Sequence, residues 1–60
     1  MSFSLDIVSL GNAAFEDQPE LEVARILRNV ADKLEQGETD GWCRDINGNP
    51  VGSWSIARED

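Results

Sequence analysis

In a chain of sixty residues, only a few side chains could do chemistry. There is one cysteine, Cys43, and no histidine. A thiol nucleophile needs a neighbouring base to hold it as thiolate, and histidine is the usual one. The soft ligands of a zinc site are missing for the same reason. Cys43 is therefore expected in the core, since cysteine is among the most commonly buried residue types. Two pairs of acids, Glu16/Asp17 and Glu38/Asp40, have the right type for general acid–base work, which needs two carboxyls in a sheltered cleft. Both pairs flank a helical segment, where solvated turn acids are the ordinary outcome. The run Asp45-Ile46-Asn47-Gly48-Asn49 opens like a calcium loop, but such a loop needs glycine at position 6 and glutamate at position 12. Those positions hold Pro50 and Ile56. No glycine-rich phosphate cradle is present, and a chain this short has little room for a pocket of the usual 300–1,000 Å³. The expectation is a protein that is not an enzyme and takes no cofactor and no metal.

Charge narrows the choice of partner. Twelve Asp and Glu stand against five Lys and Arg, a net charge of −7. Nucleic-acid binding needs clustered cations, and anionic lipid repels such a chain, so neither nucleic acid nor membrane is expected as a direct ligand. The apolar runs are far too short for a membrane span. The first residues, MSFSLDIVSLGN, have an acid at Asp6 and no basic segment, unlike a signal peptide. A single cysteine also forms no intrachain disulfide, so the expected compartment is the cytoplasm. The acids gather at 16–22 and again at 35–40. Solubility is the simple explanation. The sharper one is a decoy, in which Glu16, Asp17, Glu20 and Glu22 are spaced like phosphates for the basic groove of a nucleic-acid-handling protein, giving fast and salt-sensitive association. Arg25, Arg28 and Lys33 interrupt that acidic face.

Three elements must position these residues, all within one small domain, 1–60. Residues 2–10 alternate, with Phe3, Leu5 and Ile7 on one side and Ser4 and Asp6 on the other, which predicts a strand. Residues 18–36 predict an amphipathic helix whose stripe is Val23, Ala24, Ile26, Leu27, Val30, Ala31 and Leu34. Asp17 is placed as its N-cap with Glu20 three residues on, Pro19 suits the first turn, and Gly37 suits the left-handed stop. Glu22–Arg25 and Arg28–Asp32 have the spacing of helical ion pairs, expected on a solvated face. Leu21 lies off the stripe and is expected to pack locally against Phe15 or the loop. Residues 41–57 predict a β-hairpin turning at Asn47-Gly48, with a loop of two or four residues.

The three elements make an α+β domain of βαββ order, a three-stranded sheet of antiparallel type with one helix on one face. One helix covers one side of a sheet, yet both hairpin faces carry apolar side chains. Either loop length puts Trp42, Arg44, Ile46 and Val51 on one face and Cys43, Asp45, Trp54 and Ile56 on the other. One tryptophan is therefore expected to be open to solvent or covered by a partner, unless Arg44 and the chain ends cover it. The candidate partner-binding residues are Trp42, Arg44, Ile46 and Val51 on the hairpin and Glu16, Asp17, Glu20 and Glu22 at the helix start. The partner is a protein, either a foreign one or a second copy in a homodimer.

The string from Asn12 to Trp54, with "NAAFED" leading into "ARILR" and then "DINGN.VG.W", resembles short proteins encoded by bacteriophages, prophages and related mobile elements. The resemblance covers about three-quarters of the chain and brings no established activity with it. It implies a bacterial or phage cytoplasm. By analogy with small acidic phage proteins, it also implies a role in binding and blocking a host factor.

Overall fold

Strand β1, Ser2–Ile7, carries the alternating segment. A short 3-10 turn at Ala13–Phe15 follows, then helix α1, Pro19–Glu35, strand β2, Asp40–Arg44, and strand β3, Pro50–Ala57. The structure is a computed structural model that describes residues 1–8, 10–11 and 13–58. The strands form one antiparallel sheet in the order β1-β3-β2. The fold is α+β with βαββ order, as the sequence predicts.

Alternation fixes which way each strand faces. Phe3, Leu5 and Ile7 stand opposite Ile56, Trp54 and Gly52, and Gly41 and Cys43 stand opposite Trp54 and Gly52. These residues form the side that α1 covers. The core joins Phe15, Ile26, Val30, Cys43, Val51 and Trp54, with Leu5, Ile7, Val23 and Leu34 packed at its margin. The other side is a polar lattice: Ser4 opposes Ser55 and Asp6 opposes Ser53, and Trp42 extends the second row across β3 by opposing Ser53.

Local sequence explains most of the boundaries. Pro19 is the first helical residue, where its missing N–H is not needed. The helix stops in a Schellman arrangement: the Gly37 amide donates to the Leu34 carbonyl at 3.0 Å and the Glu38 amide to the Lys33 carbonyl at 3.0 Å. This requires the left-handed φ of +89° that Gly37 adopts. At the start, Gln18 rather than Asp17 is the N-cap, and no side chain caps it. The buried stripe is narrower than the apolar one, because Ile26 and Val30 are enclosed while Leu27 stays exposed. Leu21, expected to pack locally, is likewise exposed. The first strand ends at Ile7, although the Val8 amide still donates to the Val51 carbonyl at 2.9 Å. Ser9, in the last part of the expected strand, lies outside the described residues.

The hairpin departs from expectation in a way that changes its faces. The Gly48 amide donates to the Asp45 carbonyl and the Asp45 amide to the Asn49 carbonyl, both at 2.9 Å. The loop is therefore Ile46-Asn47-Gly48, three residues long, with Gly48 at φ +85° as the one left-handed position. Arg44 pairs with Pro50 but Cys43 pairs with Gly52, so Val51 is an extra residue in a β-bulge. The bulge turns Val51 into the core, where it is buried. Simple alternation had placed it beside Trp42. Gly52 follows the bulge and is required there, because a Cβ at this position would run into the Asp6 carbonyl of β1.

Candidate protein-docking surface

The hairpin tip is built around one carboxylate. Asp45 is 4% exposed, and its Oδ1 accepts the Asn47 and Asn49 amides, each at 2.9 Å. Its Oδ2 accepts the Asn49 side-chain amide at 3.3 Å. Aspartate suits this position because its short side chain folds back on backbone amides two and four residues on, as in an Asx turn. The residues that looked like the start of a calcium loop thus use their carboxylate as a turn cap. Among the described residues, no group of three His, Cys, Asp or Glu is placed to hold a metal.

A second buried carboxylate ties this tip to the helix. Glu22 is 8% exposed. Its two oxygens accept Arg25 Nε at 2.9 Å and Arg25 Nη2 at 3.0 Å, and Oε2 also accepts the Ile46 amide at 2.8 Å. Arg25 Nη2 reaches on to the Arg44 carbonyl at 3.0 Å. The Arg25 guanidinium, seconded by the Ile46 amide, holds the Glu22 carboxyl below the ordinary carboxylate range even though burial pushes the other way. Glu22 is therefore a latch between α1 and the hairpin and belongs to no acidic surface. The Glu22–Arg25 spacing, expected on a solvated face, is where the fold buries the carboxylate of an ion pair and leaves the Arg25 side chain half-buried.

The rim of this latch is apolar and open. Ile46, whose amide is held by Glu22, leaves its side chain 68% exposed. On the other side of the sheet from α1, Trp42 is 63% exposed, while Trp54 is 2% exposed. Arg44 Nη1 donates to the Gly48 carbonyl at 3.0 Å, while Trp42 stays open to solvent. Between α1 and β2 runs a groove of about 460 Å³, lined by Arg25, Lys33, Trp42, Cys43, Arg44 and Ile46 among others. Space of this size was not expected in so short a chain. Three of the five cations of the sequence line it. Cys43 lies at its floor, enclosed, and burial pushes its thiol pKa up, which leaves it a poor nucleophile.

Of the residues selected from the sequence, Trp42, Arg44 and Ile46 come together along β2 and the tip. Val51 and Glu22 are withdrawn into the fold. Glu16, Asp17 and Glu20 are exposed at the start of α1. The groove itself has no sequence signature; helical spacing of Arg25 and Lys33 and their distance in sequence from Trp42 gave no sign that they share it. No helix among the described residues is long and apolar enough to cross a membrane. No family model matches the chain, and no curated protein and no solved structure matches it either.

Proposed function

We infer that this chain is a non-enzymatic protein-binding module that docks through the β2 side of its sheet. The observation that carries the reading is the position of Trp42: a tryptophan left 63% exposed on an edge strand, beside an open groove. Tryptophan is the residue most enriched where binding energy concentrates, and an edge strand offers unpaired backbone groups to an incoming chain. The phage-type version of this reading is an accessory protein in the cytoplasm that docks on a host factor, including one that handles nucleic acid. The exposed acids Glu16, Asp17 and Glu20 support that version, and the withdrawal of Glu22 thins it by one charge.

Affinity capture with native and Trp42→Ser baits, from a bacterial lysate that also contains the untagged chain, tests the reading. A protein retained by the native bait and lost with Trp42→Ser is expected. Identical recovered sets from the two baits overturn it. For a partner met through the acids, recovery falls as salt is raised, since exposed charges are screened over about 8–10 Å at physiological ionic strength.

A further inference from the structure

The geometry points to a second copy of this chain as the occupant of the free edge of β2, paired antiparallel about Trp42 in one register. This deepens the preceding reading and rests on it, since it names the partner of the same edge.

Backbone alternation supplies the first part. The Ile56 amide donates to the Thr39 carbonyl at 2.8 Å, and the pairing Gly41↔Trp54 and Cys43↔Gly52 continues that ladder. Residues 39, 41 and 43 therefore spend their N–H and C=O groups on β3. Asp40, Trp42 and Arg44 direct theirs away from it. The reach of Arg25 from α1 to the Arg44 carbonyl agrees with that direction. That carbonyl keeps a second lone pair for another donor.

These three residues are symmetric about Trp42. A second β2 laid antiparallel, with Trp42 opposite Trp42 of the other copy, brings every outward amide onto an outward carbonyl. In the same register Asp40 faces Arg44 of the other copy, and Arg44 faces its Asp40. Charge complementarity is thus built into the only alignment centred on the tryptophan, and it appears twice because the contact is two-fold. Slipping the register by two residues sets Trp42 against Asp40 or Arg44 and breaks both Asp40–Arg44 pairs; the slip towards Asp40 offers Arg44 only Glu38, which lies outside β2. On the helix side the pairing sets Gly41 against Cys43, two small residues that leave the strands free to approach. The outcome is a six-stranded sheet, β1-β3-β2 continued through its symmetry mate, with the two exposed indoles covering each other on the polar face. The match matters because each chain carries a net charge of −7 and repels its copy elsewhere.

The test is sedimentation velocity on the full chain over a wide concentration range, with circular dichroism to verify folding. The native chain is expected to dimerise with concentration. Arg44→Asp alone and Asp40→Arg alone each set like charges opposite one another twice, and each is expected to weaken the dimer severalfold, because opposite charges across a strand pair stabilise it and like charges directly opposite destabilise it. The double variant Asp40→Arg/Arg44→Asp restores opposite charges and is expected to recover most of the association. It lacks the native Arg44 bond to Gly48 as the single Arg44→Asp variant does, so recovery cannot come from that bond. A chain that stays monomeric at millimolar concentration, a dimer indifferent to the single exchanges, or a double variant no better than the singles overturns the inference. If the chain is monomeric yet Trp42 still governs capture of another protein, self-pairing fails while the docking reading stands.

Discussion

The tip of the hairpin and the middle of its first strand invert the usual placement of side chains. At the tip, two carboxylates, Glu22 and Asp45, are enclosed. A few residues away, Trp42 and Ile46 stand in solvent. Backbone demand accounts for the first region. A three-residue loop leaves the amides of Ile46, Asn47 and Asn49 without strand partners, and the two carboxylates supply acceptors for all three. Geometry accounts for the second, because a single helix lies on one side and Trp42 alternates onto the other. The comparison teaches that in a domain this small, burial follows who needs a hydrogen-bond partner and which face is covered, and only then side-chain hydrophobicity.

The largest test compares the two tryptophans. Trp54→Ala empties the centre of the core and is expected to cost about 3–5 kcal/mol, enough to unfold most of a chain with the marginal stability of a small domain. Urea titration followed by circular dichroism reads it, and a loss below about 1 kcal/mol would show that Trp54 does not organise the core. Among the described residues its indole N–H has no acceptor, and the indole lies against Gly41. Trp54→Phe therefore loses ring volume but no hydrogen bond. The next largest test is Asp45→Ala, which removes the acceptor for two turn amides and is expected to destabilise by about 1–3 kcal/mol. Asp45→Asn keeps one carbonyl oxygen and is expected to lose less. Equal losses for the two would show that the buried charge, rather than the turn geometry, is what the tip requires.

How much of this was legible follows from the range of each interaction. Helix limits set by Pro19 and Gly37, the inward row Phe3, Leu5 and Ile7, and the turn near Asn47-Gly48 are local, and the sequence carries them in spacing alone. One exposed and one buried tryptophan also follows from counting faces. The bulge at Val51 was not legible. A three-residue loop and a one-residue bulge each shift the register, and together they restore the pairing of Cys43 with Gly52, so alternation is correct for Cys43 and Trp54 and wrong for Val51. Glu22 was misplaced because its partner, the Ile46 amide, is 24 residues away. A clue lay in Gly48 itself: a left-handed glycine one place after a type I turn commonly marks a three-residue loop, which frees amides that need an acceptor.

The latch can be separated from the acidic exterior by pH. The folded pKa of Glu22 is lowered, first by the Arg25 hydrogen bonds, relative to about 4.3 in an unfolded chain. A depressed carboxylate stabilises the fold fully above the unfolded value, and that contribution is lost as pH falls through the folded one. Native chain is therefore expected to exceed Glu22→Gln in stability at pH 7, with the gap closing below about pH 4.3. Glu20→Gln, on an exposed neighbour, serves as the surface control and is expected to change stability at pH 7 by no more than about 0.5 kcal/mol. Denaturant midpoints at pH 7 and pH 3 decide it, and a Glu22→Gln gap that persists unchanged at pH 3 would mean that the side chain acts by shape alone.

The smallest effect sharpens the comparison most. Trp42→Ala removes the largest exposed side chain of the molecule, yet at concentrations where the chain is a monomer its stability is expected to shift by no more than about 0.5 kcal/mol, as for surface positions generally. Ser53, directly opposite, offers it a cross-strand contact but no apolar enclosure. Ile46→Ser, equally exposed, is expected to behave the same way, because the amide bonded to Glu22 survives the substitution. Measured at low concentration by the urea midpoint, a Trp42→Ala loss approaching that of Trp54→Ala would mean that the indole packs on its own sheet. Its exposure would then say nothing about a partner. A near-zero loss there, rising as the protein is concentrated, places the cost of the substitution in association, where an uncovered edge strand puts it.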